Sequence, residues 1–198
     1  MNRADTMNRG MSDAKPIAAV EIPSLKGQVS DEEWAIRVDL AAAYRLVAHY
    51  GWDDLIFTHL SARIPGPEHH FLLNPYNLMF EEVTASSLVK VDVHGNPVDP
   101  TPFITNPAGF TIHSAVHKAR EDAHAVMHLH TPHGQAVSAH AEGLLPLTQT
   151  AMLVRGDLAF HDYEGVAVDL DERERIVADL GTKSAMLQIG RASCRERV

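Results

Sequence analysis

Two histidines one residue apart, His128 and His130, end the apolar run Ala125-Val126-Met127 and are followed at once by Thr131-Pro132-His133. Successive strand side chains point to opposite faces, so the i, i+2 spacing aims both imidazoles the same way while Leu129 packs behind them. Imidazole suits zinc and related divalent ions, and a catalytic zinc site typically uses three protein ligands with one position left open. A third ligand is needed for chemistry. In a chain with 13 histidines the same spacing also arises by chance, and the residues alone leave both readings standing.

Other groups could also do chemistry. His113 and His117 stand four apart on an expected helix, which could make a helical metal pair; the plainer expectation is that one packs in the core and the other is solvated. His133 is either a substrate-side group or a solvent-facing helix position. The cluster His161-Asp162-Tyr163-Glu164 carries titratable groups, of which Tyr163 or Glu164 could act as acid/base near a metal pocket, or simply build a turn. Thr84 and Ser86-Ser87 are expected to cap a local turn. There is no Gly-x-Ser-x-Gly elbow, His-Glu-x-x-His helix, dinucleotide fingerprint or P-loop, which removes the commoner hydrolase, metalloprotease and nucleotide-binding readings.

The elements that must position these groups can be read from pattern. Residues 1–29 carry Pro16, Pro23 and no sustained period, and are expected to form a flexible arm. Ser30-Asp31-Glu32-Glu33 has the form of a capping box, with Glu33 reaching back, ahead of apolar positions Trp34, Val38, Ala41, Ala42 and Leu46, and Gly51 closes that helix. Strand-like runs follow at 55–64, 70–73 and 88–93. Pro107 is placed to open a second helix to about Arg120, leading into a strand over 123–130, and Thr131 looks like the N-cap of a third helix through Ala139. Strand-like pieces at 144–147 and 166–170 precede a charged helix over 171–180, and Ala185-Met186-Leu187 begins another strand. This alternation predicts an α/β domain with helices on the faces of a mixed sheet.

Composition narrows the function classes. With a formal net charge of -9, no overall basic field exists to hold nucleic acid or an anionic membrane. No apolar stretch approaches the ~20 residues of a membrane span, and the N-terminus has no signal-like apolar region, so a cytoplasmic location is expected. The single cysteine, Cys194, excludes an internal disulfide framework. After Leu187 the chain turns abruptly basic over 188–198, and this segment is expected to be a foreign tail on a truncated reading frame.

Several motifs in order give the chain a family likeness over roughly 31–187: Thr58-His59-Leu60-Ser61-Ala62-Arg63, residues 82–90, Asn106-Pro107-Ala108-Gly109-Phe110, His113-Ser114-Ala115, residues 126–132, and Phe160-His161-Asp162-Tyr163-Glu164-Gly165. Through these it resembles the class II aldolase/adducin family, most closely the adducin-like branch with its bacterial members. The resemblance implies a three-layer α/β/α sandwich around a mixed, largely antiparallel sheet, assembled as a homotetramer. It also implies a divalent metal, foremost zinc, held by His128, His130 and a third histidine located just past Leu187. The family's Glu or Asp acid/base falls on Gly109, which cannot transfer a proton. Its phosphate-binding places read His59, Asn74-Pro75-Tyr76 and Pro107-Ala108, a poor cradle because proline offers no N–H. His59, Asn74 and His133 are the expected substrate contacts. Two functions stay open. One is a metal-dependent aldehyde lyase or epimerase-like enzyme acting on a small, unphosphorylated hydroxy-carbonyl compound; the other is a non-catalytic adducin-like oligomeric scaffold.

Overall fold

The first helix, α1 (Asp31–His49), begins where the sequence places it, because the Ser30 side chain accepts the Glu33 N–H at 3.1 Å. Replacing Ser30 with Ala should cost about 1 kcal/mol, measured as a shift in the urea midpoint at constant slope. The second half of the expected capping box is absent. Glu33 is buried, and its two oxygens take Arg37 Nε at 2.8 Å and Lys90 Nζ at 3.1 Å. A buried carboxylate gains more from two cations than from one backbone amide. Arg37 also shifts the buried face: Leu40, Ala41, Tyr44 and Val47 line the core with it, while Val38 and Leu46 are 44% and 55% exposed. A paired, buried arginine is invisible to an apolar-pattern reading. Gly51, at φ +64°, ends the helix as expected.

This computed structural model describes residues 21–162 and 164–189. Strands β1 (His59–Arg63), β2 (Phe71–Leu73), β3 (Val89–Val91) and β4 (Ala125–His128) form an antiparallel sheet in the order β3-β2-β1-β4. Helices α2 (Pro107–Ala119), α3 (Pro132–Ala139), α4 (Gln149–Arg155) and α5 (Glu172–Leu180) are joined by β5 (Leu158–Asp162) and β6 (Ala185–Ile189), a parallel pair. α1 covers one face of the sheet, where Leu40, Tyr44 and Val47 meet Leu60, Ala62, Leu72 and Phe80. α2 covers the other, where Ile112 and Val116 cluster with Val126, Ile176 and Met186. The result is the three-layer α/β/α arrangement.

Three expectations are corrected. Residues 144–147 and 166–170 are not strands, and Leu147, Val166 and Val168 there are 78%, 70% and 61% exposed. The strand in that region is β5, and α4 precedes it. β-type residues without a partner strand to bury against do not make a strand, whereas β5 has β6. The arm expected over 1–29 is, across 21–29, laid on the domain: Ile22 packs on the core and the Leu25 N–H donates to Ser86 Oγ at 3.1 Å. Residues 1–20, Tyr163 and most of the basic tail, Cys194 included, lie outside the described residues. No helix among the described residues is long and apolar enough to cross a membrane.

Candidate metal centre

The β1–β4 register sets His59 directly across from His128, and the two rings stack with centroids 4.4 Å apart and an interplanar angle of 14°. His130 lies two residues on, past the end of β4. The alternation behaves as read: Leu129 points into the α1-side core, and the Nε2 atoms of His128 and His130 come within 3.2 Å of each other. His130 Nδ1–H donates to Asp54 Oδ2 at 2.8 Å. Asp54 is itself placed by its N–H, which donates to Thr58 Oγ1 at 3.2 Å. With Nδ1 committed as donor, a neutral His130 presents Nε2 as a lone pair.

This pair fits a divalent ion. Two imidazole nitrogens 3.2 Å apart match two ligands that each lie ~2.0–2.1 Å from one zinc. A carboxylate on the distal nitrogen is the usual way such a ring is oriented and made more basic. Asp54 escaped the sequence reading because nothing in its spacing links it to a histidine 76 positions away. Among the described residues no group of three His, Cys, Asp or Glu side chains is arranged to hold a metal. The third-ligand position expected past Leu187 is not filled by Gln188, whose side chain donates to Glu172 Oε1 at 3.2 Å.

Behind His59 lies a second histidine pair. Asn106 caps α2 by accepting the Ala108 N–H at 3.0 Å, and Pro107 takes the first turn. The helix runs in the same direction as β1, with Gly109 and His113 on His59, His113 and His117 on Ser61, and Arg120 on Arg63. Both are buried, which corrects the expectation that one would be solvated. His59 Nδ1 and His113 Nε2 are 2.7 Å apart, His113 Nδ1 contacts Ser61 Oγ, Ser61 Oγ and His117 Nε2 are 2.7 Å apart, and His117 Nδ1 donates to the Ala123 carbonyl at 3.2 Å. Burial pushes the His117 pKa down to about 4, with help from the Arg63 guanidinium. Burial also pushes His113 well below the ordinary histidine range, reinforced by His59, His117 and His128. Both rings are neutral at pH 7. The helical metal pair is therefore not formed; the two rings bond to a serine and a histidine instead.

Gly109 sits in the first turn of α2 against the face of the His59 ring. A Cβ there would come within 3.0 Å of His59 Cγ and Cδ2. The position that lacks the expected carboxylate is thus also the one where a side chain would collide with a stacked, hydrogen-bonded histidine.

The remaining candidates are dispersed. Asn74 lies on the opposite face of the sheet from His59, with Oδ1 3.0 Å from the Tyr44 hydroxyl and Nδ2 donating to the Pro75 carbonyl. The buried Tyr44 hydroxyl also accepts the Leu60 N–H at 2.7 Å, and burial raises its pKa. Asn74 therefore braces α1 against β1 and is not beside His59. His133 is exposed and lines a cavity of about 510 Å³ with Trp52, Met127, Leu129, Thr131 and Val154. Glu164 is taken by Arg175, with Nε at 2.6 Å, and this pairing holds its carboxyl below the usual range. His161 is buried between Asp179 Oδ2 at 2.6 Å and Glu172 Oε1 at 3.4 Å, joining β5 to α5. Thr84 and Ser87 exchange side-chain-to-backbone bonds at 2.9 and 3.1 Å, the expected local cap.

Comparison with known proteins bears on this arrangement. Residues 38–190 match the family described as the Class II Aldolase and Adducin N-terminal domain. A Caulobacter vibrioides protein, named provisionally as an aldolase class 2 protein, is 69% identical over 85% of this chain and 66% of its own length. Mouse alpha-adducin is 48% identical over 78% of this chain, a stretch that makes up only 21% of adducin. Among solved structures, an aldolase II superfamily protein from Pseudomonas syringae is 54% identical with a TM-score of 0.81, covering 88% of this chain and 70% of that one. An L-fuculose 1-phosphate aldolase from Glaciozyma antarctica PI12 is 30% identical with a TM-score of 0.70, covering 92% and 68%.

Proposed function

This chain belongs to the class II aldolase/adducin family, and on that premise we propose that it is the core of a divalent-metal-dependent aldehyde lyase or epimerase-like enzyme. Its substrate is a small, unphosphorylated hydroxy-carbonyl compound. The observation that carries the reading is the convergence of His128 and His130 Nε2 to 3.2 Å with His130 oriented by Asp54. His128 and His130 would hold the ion, and the ion, foremost zinc, supplies Lewis-acid stabilisation of the charge that develops on a carbonyl oxygen. The protein groups do the rest: Asp54 keeps the His130 lone pair aimed at the ion, and Leu129 backs the pair with apolar packing. A small-molecule site in a homotetramer is the working form of the complete protein.

The chain spans about two-thirds of the length of the bacterial relative quoted above, so completion of the ligand set is part of this proposal. The 198-residue chain should bind zinc weakly, because two imidazoles leave the ion under-coordinated. A version extended with the relatives' further residues should bind it stoichiometrically. In that version His128→Ala or His130→Ala should abolish binding, and affinity should fall on acidification, since each imidazole must be deprotonated to bind. Metal analysis after gentle purification reads all of these. Tight zinc in the short chain that survives His128→Ala would sink the reading.

One observation favours the non-catalytic scaffold as a second reading. Gly109 carries no carboxylate and His59 fills the space beside it. Equal melting temperatures for the extended protein with and without chelator, together with a destabilised His128→Ala variant, would decide for the scaffold.

A further inference from the structure

Away from the histidines, a cavity of about 630 Å³ opens between the first turns of α1, β3, residues 99–103 and the segment that precedes α1, and it shares no residue with the candidate metal centre. Four charged side chains line it. Glu33 and Arg37 are buried and Lys90 nearly so, with side chains 8%, 1% and 13% exposed, while Asp99, which takes Lys90 Nζ at 2.9 Å, is 45% exposed. Water screens Asp99 far more than the other three. Two cations therefore share one buried carboxylate, and the cavity wall carries an excess of positive charge.

Donors there also outnumber acceptors. Arg37 Nε donates to Glu33 Oε1 and Nη1 to the Ala85 and Leu88 carbonyls, which leaves Nη2 without an acceptor among the described residues. That nitrogen is not sealed in protein and keeps access to the cavity that Arg37 lines. Lys90 Nζ gives two of its three protons to Glu33 and Asp99. Ser30, Ser86 and Thr101 accept the N–H groups of Glu33, Leu25 and Phe103, and each keeps its own hydroxyl proton to give. Both Glu33 oxygens, by contrast, already accept from a cation. Ile22, Leu25, Val89, Pro102 and Phe103 make much of the remaining wall apolar.

We propose that this cavity is a second binding site, for a small organic carboxylate with an apolar body, held by Arg37 Nη2 and Lys90 Nζ. A carboxylate offers acceptor oxygens to the unmatched donors and one negative charge to the excess positive charge, and its carbon chain lies against the apolar wall. Inorganic phosphate fits less well, because it has no apolar part for those residues to cover. Residues 22–29 form one side of the cavity and are tied down by the Leu25 N–H to Ser86 Oγ at 3.1 Å, so occupancy also fastens that segment to the domain. The site goes beyond the proposed function and is independent of any metal.

Hexanoate, titrated into the nitrogen-labelled 198-residue chain at neutral pH, should move the backbone amide signals of Leu25, Ser30, Lys90 and Phe103 saturably, and hexanamide, its uncharged counterpart, should not. Lys90→Gln, which removes one cation while Glu33 keeps Arg37, should weaken hexanoate about tenfold, the worth of one hydrogen bond to a charged group. Asp99→Asn removes the competing anion at a half-exposed position and should tighten hexanoate about two- to fivefold. Inorganic phosphate should neither move these signals nor displace hexanoate. No response to hexanoate, an equal response to hexanamide, weaker hexanoate binding in Asp99→Asn, or displacement by phosphate would each overturn the proposal. The Asp99→Asn result stands by itself should Lys90→Gln fail to fold.

Discussion

Lowering the pH from 6.5 to 4 should cost the fold on the order of 3 kcal/mol through His117 alone. The folded pKa of this histidine, about 4, lies below its ordinary 6.5 because burial and Arg63 disfavour the imidazolium. Between those values the unfolded chain binds a proton that the folded chain refuses. Its contribution is therefore fully present above 6.5, falls as pH drops through the window, and is exhausted below about 4. His113 acts in the same direction. The carboxylates held below their usual range by exposed partners, such as Asp122 beside Arg120, lose their contribution only as pH falls from the ordinary carboxylate range, about 4, downward. The upper part of the window consequently reports the buried histidines. Urea unfolding at pH 7, 5.5 and 4.5 measures the slope, and His117→Gln, which keeps a neutral polar side chain, should flatten it. A wild-type midpoint that does not move between pH 7 and 4.5 would mean that these rings are charged in the folded state.

The second large effect is expected at Gly109. Gly109→Glu restores the acidic residue type that the family resemblance places there, yet its Cβ would already stand 3.0 Å from two atoms of His59. His59 cannot give way cheaply, because it is stacked on His128 and bonded to His113 at 2.7 Å. Overpacking costs about 1–3 kcal/mol, and leaving His113 Nε2 without its hydrogen-bond partner adds about 1–3 kcal/mol. His59→Ala clears the space. The double variant Gly109→Glu/His59→Ala should therefore be more stable than the sum of its single changes predicts, with a coupling of roughly 1–3 kcal/mol by urea unfolding. Additive single and double effects would show that the helix shifts away from β1 instead of displacing the ring. Gly109→Ala probes the same contact at smaller cost, since the gain in helix propensity, up to ~1 kcal/mol, offsets part of the clash.

The two results bear on one architectural fact. The histidine cluster is buried where α2 crosses β1 and β4, so its protonation and its packing are both paid in folding free energy. A histidine at the surface would show neither effect. The same burial separates the two halves of the site. His59, His113, Ser61 and His117 hold one another on the α2 face, while His130 reaches Asp54 in the loop that follows α1.

Much was legible in the residues. Ser30, Asn106-Pro107 and Thr131 mark helix starts because a capping side chain and a fixed proline φ act locally, and all three helices begin there. His128 and His130 share a side because strand alternation is a property of the backbone, which needs no knowledge of the partner strand. Order among several short motifs sufficed for the family and its layered fold. What failed had a common cause. The buried face of α1 turns on Arg37, which pattern counts as surface, and the strands read at 144–147 and 166–170 had the composition of strands without a neighbour to pair with.

The sequence by itself therefore determined where helices start, which residues alternate, and that the paired histidines His128 and His130 lie in a class II aldolase/adducin chain. Only the tertiary structure decided who meets whom. The β1–β4 register brought His59 onto His128, the α2 crossing pressed Gly109 against that ring and strung His113 and His117 through Ser61, and the loop after α1 delivered Asp54 to His130. Caps and alternation are fixed by bonds within a few residues, whereas these contacts join positions 50 to 76 apart and exist only once the layers have packed.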